Sequence, residues 1–156
     1  MVILGIDPGT ATTGFGVIEK QNNKFLILEY GVINTDKSLP QAQRLQTIYD
    51  DLSLIIDKHQ PIAVGIEKLF FSNNQKTAMT VSESRGVVLL KLQQKNIKIF
   101  EYTPLQVKNI LCGYGQADKK QIQTMVQQTF GLQSLPKPDD AADALAIALC
   151  AGWNLK

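Results

Sequence analysis

The sequence has one histidine, His59, and two cysteines, Cys112 and Cys150, so it has little of what nitrogen- and sulfur-ligated metal sites are made from. The two cysteines stand far apart without Cys-x-x-Cys spacing, and free cytosolic thiols are the reading. Cys150 lies in an Ala/Leu-rich stretch and is expected to be a buried small apolar residue. No apolar run approaches the roughly 18 to 20 residues that a membrane span needs. The apolar start, Met1 to Asp7, has no basic segment before it, so it is read as a strand and the protein as soluble and unexported. There is also no repeat, linker or low-complexity tract, and no strong charge of one sign. Sixteen Lys plus Arg face fourteen Asp plus Glu, a net +2 that does not by itself point to nucleic acid. What remains is 156 residues, 44% of them hydrophobic. A chain of this size buries about 70% of its unfolded surface, enough for one core without disulfides or a structural metal.

Apolar patterning sets the expected elements. Val2 to Ile6 is a short continuous apolar run closed by the turn residues Asp7-Pro8-Gly9-Thr10, which predicts a central strand. Residues 14–20 and 25–33 are rich in β-branched and aromatic side chains and flank the turn-prone Gln21-Asn22-Asn23, predicting two strands in hairpin succession. Helical spacing of Leu45, Ile48, Tyr49, Leu52, Ile55 and Ile56 predicts a helix over 40–58. Ile62 to Ile66 repeats the first strand's pattern and, like it, ends on an acid, Glu67. A long helix over 74–95 follows, with Gly86 inside it. Such a glycine costs about 1 kcal/mol relative to alanine, so close packing or a partner is expected there. A strand at 97–102, helices to Leu111 and over 118–129, and a last helix from about Asp139 to Trp153 complete one α/β domain over 1–156: a mixed five-stranded sheet flanked by helices.

Four acids stand out. Asp7 and Glu67 each end a strongly apolar strand, and the carboxyl edge of an open α/β sheet is where ligands bind. Asp140 and Asp143, three apart on one helix, share a face. Either Asp139 or Asp140 also suits a helix cap, and acids are favoured in any first helical turn. Asp143 lies among alanines, Leu145 and Ile147, where an uncompensated charge is costly unless a cation neutralises it. Four carboxylates brought together need a counter-charge, and oxygen-only ligands select Mg²⁺ or Mn²⁺ over zinc. Two such ions about 3.5–4 Å apart suit phosphodiester hydrolysis. With these four acids assigned to a metal site, sixteen basic residues face ten acids elsewhere, an excess of six.

An ordered set of motifs runs nearly the whole length of the chain: Ile3-Leu-Gly-Ile-Asp-Pro-Gly-Thr10 with Gly14-Phe-Gly16, Ile66-Glu67 followed by Phe70, Ser84-Arg85-Gly86-Val87, Gln106-Val-Lys108, Asp118-Lys119 and Asp140-Ala-Ala-Asp-Ala-Leu-Ala-Ile147. In these the chain resembles the RuvC-type Holliday junction resolvases of the ribonuclease H-like nuclease superfamily. The resemblance implies a ribonuclease H-like domain, a homodimer with one site per protomer, and a bacterial cytoplasmic setting in recombination and repair. It implies symmetric nicking of a four-way DNA junction, leaving 5′-phosphate and 3′-hydroxyl ends. Asp7, Glu67, Asp140 and Asp143 match the catalytic metal-binding acids, and two Mg²⁺ per site are implied, with Mn²⁺ able to substitute. The helix over 74–95 matches the dimerisation helix. Phe70 matches an aromatic that stacks on an unpaired base at the crossover, the bland alternative being a core phenylalanine; if the segment is extended, Phe71 faces the other way. Lys108 and Lys119 match lysines near the scissile phosphate, and Lys76, Arg85 and Lys120 are further candidates for DNA-backbone contacts, a solvated surface role being the alternative for each lysine. The branch-migration proteins RuvA and RuvB are implied partners. The chain ends at Lys156, after the last helix, without the tail some relatives carry, so a tail-mediated contact with them is not expected.

Other readings stay open on the residues alone. A ribonuclease H-like nuclease could act on RNA or ordinary duplex instead, as in a related family proposed to process ribosomal RNA. Gly5-Ile-Asp-Pro-Gly-Thr10 also resembles the first phosphate loop of actin-like and sugar-kinase ATPases, but those need two such domains around a nucleotide. A junction-holding module that does not cut is the third, although four carboxylates beside phosphates serve no purpose in binding alone.

Overall fold

The first three strands form a meander because each apolar run is closed by a turn: β1 (Val2–Asp7), β2 (Thr12–Gln21) and β3 (Lys24–Asn34) pair antiparallel in that order. The computed structural model describes residues 1–22, 24–68 and 75–155, of which 75–77 by backbone alone. Helix α1 (Gln41–His59) then carries the chain across to β4 (Ala63–Glu67), which lies parallel to β1. Helix α2 (Gln75–Gln94) leads to β5 (Lys98–Tyr102), parallel to β4, and α3 (Pro104–Cys112), α4 (Lys119–Phe130) and α5 (Asp139–Asn154) follow. The sheet order is β3-β2-β1-β4-β5. The mixed five-stranded α/β sheet expected from the sequence is therefore present, with β2 and β3 each slightly longer than predicted at both ends.

Both sheet faces are covered, which is why β1 and β4 read as continuous apolar runs rather than alternating ones. Leu4, Ile6, Val17, Val64 and Ile66 pack with Ile48, Leu52 and Ile56 of α1 and Val88 and Leu92 of α2. On the other face Ile3, Ile18 and Ala63 pack with Val107, Leu111 and Val126 of α3 and α4, and with α5, which is buried from Ala141 to Gly152 apart from Asp143. Cys150 is buried and unpaired, as expected, and the thiol of Cys112 is also free.

Helix α5 lies on a floor of glycines. Gly65, Gly5 and Gly16 are register neighbours across β4, β1 and β2. A Cβ at Gly5 would stand 2.0 Å from the carbonyl oxygen of Ala144, and one at Gly14 would stand 2.0 Å from that of Asp140. The close approach of helix to sheet sets Asp140 and Asp143 beside the end of β1.

One local expectation, the cap of α5, is corrected. Neither Asp139 nor Asp140 caps α5: the N-cap position is Pro138, with no side-chain cap, and both acids are already helical. The capping acid is Asp118, whose carboxylate accepts from the Gln121 backbone N–H at 2.8 Å to start α4. Gly86 is exposed, and among the described residues no atom beyond its own stretch of helix lies within 4 Å of a built Cβ, so close packing against them does not explain it.

Candidate active site

Parallel pairing places the ends of β1 and β4 side by side, with Ile6 opposite Ile66, so the residues that follow each, Asp7 and Glu67, emerge at the same sheet edge. The first turns of α5 add Asp140 and Asp143. These acids feel one another. The carboxyl of Asp7 is pushed up to about 8 from 3.8, first by burial and then by the charges of Glu67, Asp143 and Asp140, with Lys119 opposing. Glu67 is raised by burial and by Asp143. Asp143 is raised by burial, an effect that Lys119 counters and Asp139 and Asp140 reinforce.

Lys119, at the first position of α4, reaches across to this group. Its Nζ lies 3.2 Å from carboxylate oxygens of both Asp139 and Asp143. Burial pulls its ammonium down, but the carboxylates of Asp143 and Asp139 outweigh that and hold it above the ordinary lysine range. Among the described residues no three acidic, histidine or cysteine side chains are already closed into a metal cage. The two observations are compatible. Carboxylates without a counter-ion interact over longer distances than ligands of a common cation, and here Asp143 is paired with Lys119 instead. The donor set itself, oxygen-only and strongly anionic, fits a hard divalent cation. Asp7, Glu67, Asp140 and Asp143 are the residues that would hold it.

The backbone around the acids is tied to α2 at two points. Arg85 Nε donates to the carbonyl oxygen of Glu67 at 3.1 Å, and its terminal Nη2 pairs with Glu101 of β5. The side chain expected to reach DNA is therefore already engaged in holding the end of β4. Thr10 Oγ1 donates to the carbonyl oxygen of Thr80 at 2.7 Å and lies 2.9 Å from Ser84 Oγ, which fastens the loop after Asp7. Thr10 and Ser84 both stood inside recognised motifs, yet no local pattern in the sequence gives them these roles.

Two grooves adjoin the acids. One, of about 220 Å³, is lined by Glu67, Asp143, Lys108, Lys119, Pro104 and Ile122. The other, of about 550 Å³, includes Asp140, Gly9, Thr10, Thr12, Lys37 and Arg44. Lys108 and Lys119 thus line the same groove as Glu67 and Asp143. Lys120 is exposed and lines a separate depression with Cys112 and Tyr114. Phe70 and Phe71 lie outside the described residues, as does the side chain of Lys76.

The raised carboxyl of Asp7 gives the metal-free protein a pH-dependent stability. Between its unfolded value near 3.8 and its folded value of about 8, the native state holds a proton that the unfolded state releases. Stability therefore falls as pH rises through that window. We expect thermal unfolding in chelator to show a loss on the order of 2–4 kcal/mol between pH 5 and pH 8, opposed by a divalent cation, which favours the ionised carboxylates. A stability that is level or rises over this range would contradict the electrostatics described here.

The family model for crossover junction endodeoxyribonuclease RuvC matches residues 3–151. A crossover junction endodeoxyribonuclease RuvC of Caldicellulosiruptor saccharolyticus is 54% identical over 151 residues, spanning 96% of this chain and 91% of that protein. One from Halothermothrix orenii is 52% identical over 152 residues, spanning 97% and 92%. Among solved structures, Thermus thermophilus RuvC in complex with a Holliday junction substrate superposes with a TM-score of 0.93 at 34% identity, over 99% of this chain and 94% of that one.

Proposed function

Since the chain belongs to the crossover junction endodeoxyribonuclease RuvC family and is a Holliday junction resolvase of that type, we propose that it nicks like-polarity strands of a four-way DNA junction by metal-dependent hydrolysis on Asp7, Glu67, Asp140 and Asp143. The observation that carries this assignment is the convergence of acids from β4 and α5 on Asp7 at the end of β1, whose carboxyl is driven to about 8 first by burial and then by their charges. Mg²⁺, two ions per site, fits the donors, with Mn²⁺ as a substitute. Such ions supply an activated water and stabilise the leaving oxygen, giving 5′-phosphate and 3′-hydroxyl ends.

The chain's own residues have distinct tasks in this reading. Asp7 and Glu67 are fixed by strand ends, and Arg85 holds the Glu67 backbone in place. Asp140 and Asp143 are fixed by the seat of α5 on its glycine floor. Lys119 neutralises Asp143 in the resting protein and, with Lys108, presents positive charge to a phosphate entering the smaller groove. Lys120, exposed on α4, is assigned a DNA-backbone contact, as is Lys76, whose side chain lies outside the described residues. Phe70, three residues beyond Glu67, is assigned by the family resemblance to stack on an unpaired base, an interaction worth about 1–3 kcal/mol. The working place is the bacterial cytoplasm, beside RuvA and RuvB.

The outer face of α2 supports reading the protein as a homodimer. Met79, Glu83, Gly86 and Leu90 recur at intervals of four and three and are all exposed, with Met79 69% and Leu90 56% accessible. Gly86, which no other element among the described residues approaches, permits close approach of a second helix. The inner side of the same helix holds Glu67 and Thr10, so dimerisation would steady both catalytic strand ends. We expect Leu90→Glu to give a folded monomer by sedimentation, with paired, ligatable nicks replaced by slow single nicks. A Leu90→Glu protein that remains dimeric and nicks in pairs would place the interface elsewhere.

A further inference from the structure

The second groove beside the acids has no task in the mechanism above, yet it is built from the same loop that follows Asp7. Thr10, Thr12, Lys37 and Arg44 line it together with Asp140 of the acid group and Thr80 and Val81 of α2. Arg44 is preset. Its Nε donates to Thr35 Oγ1 at 2.9 Å, and Thr35 Oγ1 donates in turn to the carbonyl oxygen of Thr10 at 2.6 Å. Thr10 and Thr35 are both buried, so the relay runs through well-packed side chains to a point three residues from Asp7.

The relay occupies one edge of the guanidinium. Among the described residues, no acid forms an ion pair with Arg44 and no partner engages Lys37, which is exposed. Asp36 feels the charge of Arg44, but its Oδ1 is taken by the Ser38 N–H and hydroxyl at 2.8 Å each. Glu83 accepts from Gln41 at 2.6 Å. Two cations beside an acidic centre, one anchored and one free, suit a polyanion that must be held next to the acids without neutralising them.

The groove also lies on the right side. Lys108 and Lys119 belong to α3 and α4, which cover one face of the sheet with α5; Arg44 belongs to α1, which covers the other. A strand whose scissile phosphate rests on the acids continues past them in both directions. We infer that the groove between Thr12 and Arg44 is a second strand track, binding backbone phosphates of the cut strand on the side of the acids away from Lys108 and Lys119. Arg44 is its fixed phosphate clamp and Lys37 its mobile one. This rests on the junction-nuclease reading and adds to it which surface carries the strand away from the cut.

The test is the salt dependence of binding to a fluorescent four-way junction in chelator, for the unmodified protein and for Lys37→Ala, Arg44→Gln and Lys24→Ala. Arg44→Gln removes the charge but keeps an N–H donor for Thr35. Lys24 lies at the far end of the β2–β3 hairpin from Thr12 and serves as the distant control. Each of Lys37→Ala and Arg44→Gln should weaken binding several-fold and reduce the slope of log K against log salt by about 2, one phosphate contact being lost in each protomer of the dimer. Lys37→Ala should leave the melting temperature unchanged, and Lys24→Ala should leave the slope unchanged. If both groove variants keep the unmodified slope and affinity, the track does not exist. If the unmodified protein itself fails to bind the junction, the nuclease reading falls and the track with it.

Discussion

Asp7→Asn should reduce metal-dependent junction cleavage by about 10³-fold or more, while leaving junction binding in chelator nearly unchanged. The asymmetry follows from where the residue stands. Asp7 contributes no positive charge to the surface that attracts DNA, so its loss leaves the phosphate contacts of the lysines intact. It is, however, the acid on which the other three converge, and an amide oxygen is a neutral and poorer ligand for a hard cation. The same substitution should make the metal-free protein more stable at pH 8, because the buried carboxyl, pushed up to about 8 by burial and by Glu67, Asp143 and Asp140, is no longer forced to ionise there. Cleavage assays, anisotropy and thermal unfolding read the three effects separately. A variant that unfolds, or that keeps its activity, would remove Asp7 from the centre.

Gly5→Ala should cost about 3 kcal/mol or more of stability, at the upper end of what overpacking produces. The added methyl would meet backbone on two turns of α5, at 2.0 Å from the Ala144 carbonyl oxygen and 2.5 Å from the Ala148 nitrogen. Backbone of a buried helix cannot rotate aside as a side chain can. The helix must lift, and because it carries Asp140 and Asp143, the loss of stability should come with a loss of cleavage even at temperatures where the variant stays folded. Denaturant unfolding beside a cleavage rate at low temperature would show both. A Gly5→Ala protein of ordinary stability would mean that α5 is less closely seated than described.

The strands, helices and four acids were legible because each has a local signature. Asp7 and Glu67 mark the ends of apolar runs, and Asp140 and Asp143 share a helix face. The glycine floor was not legible in the same way. Gly5, Gly16 and Gly65 are visible as glycines inside strands, but their alignment depends on the register of β1 with β2 and β4, which no local pattern encodes. The same holds for Arg85, whose motif was recognised but whose partners, the Glu67 carbonyl and Glu101, come from two different strands. The family resemblance puts Lys119 near the scissile phosphate, and the structure adds that it bridges Asp139 and Asp143. Lys37 and Arg44 lie in a stretch without any motif, and only the fold brings them beside Asp140.

The central claim is that these acids form a metal-dependent centre for cutting four-way junctions. Its most direct test is cleavage of a synthetic junction beside the same sequence as linear duplex and as RNA–DNA hybrid, each with Mg²⁺ and with chelator. The account predicts paired, ligatable nicks on the junction alone and only with the metal. Equal cutting of duplex or hybrid, or junction cutting that persists in chelator, would contradict it.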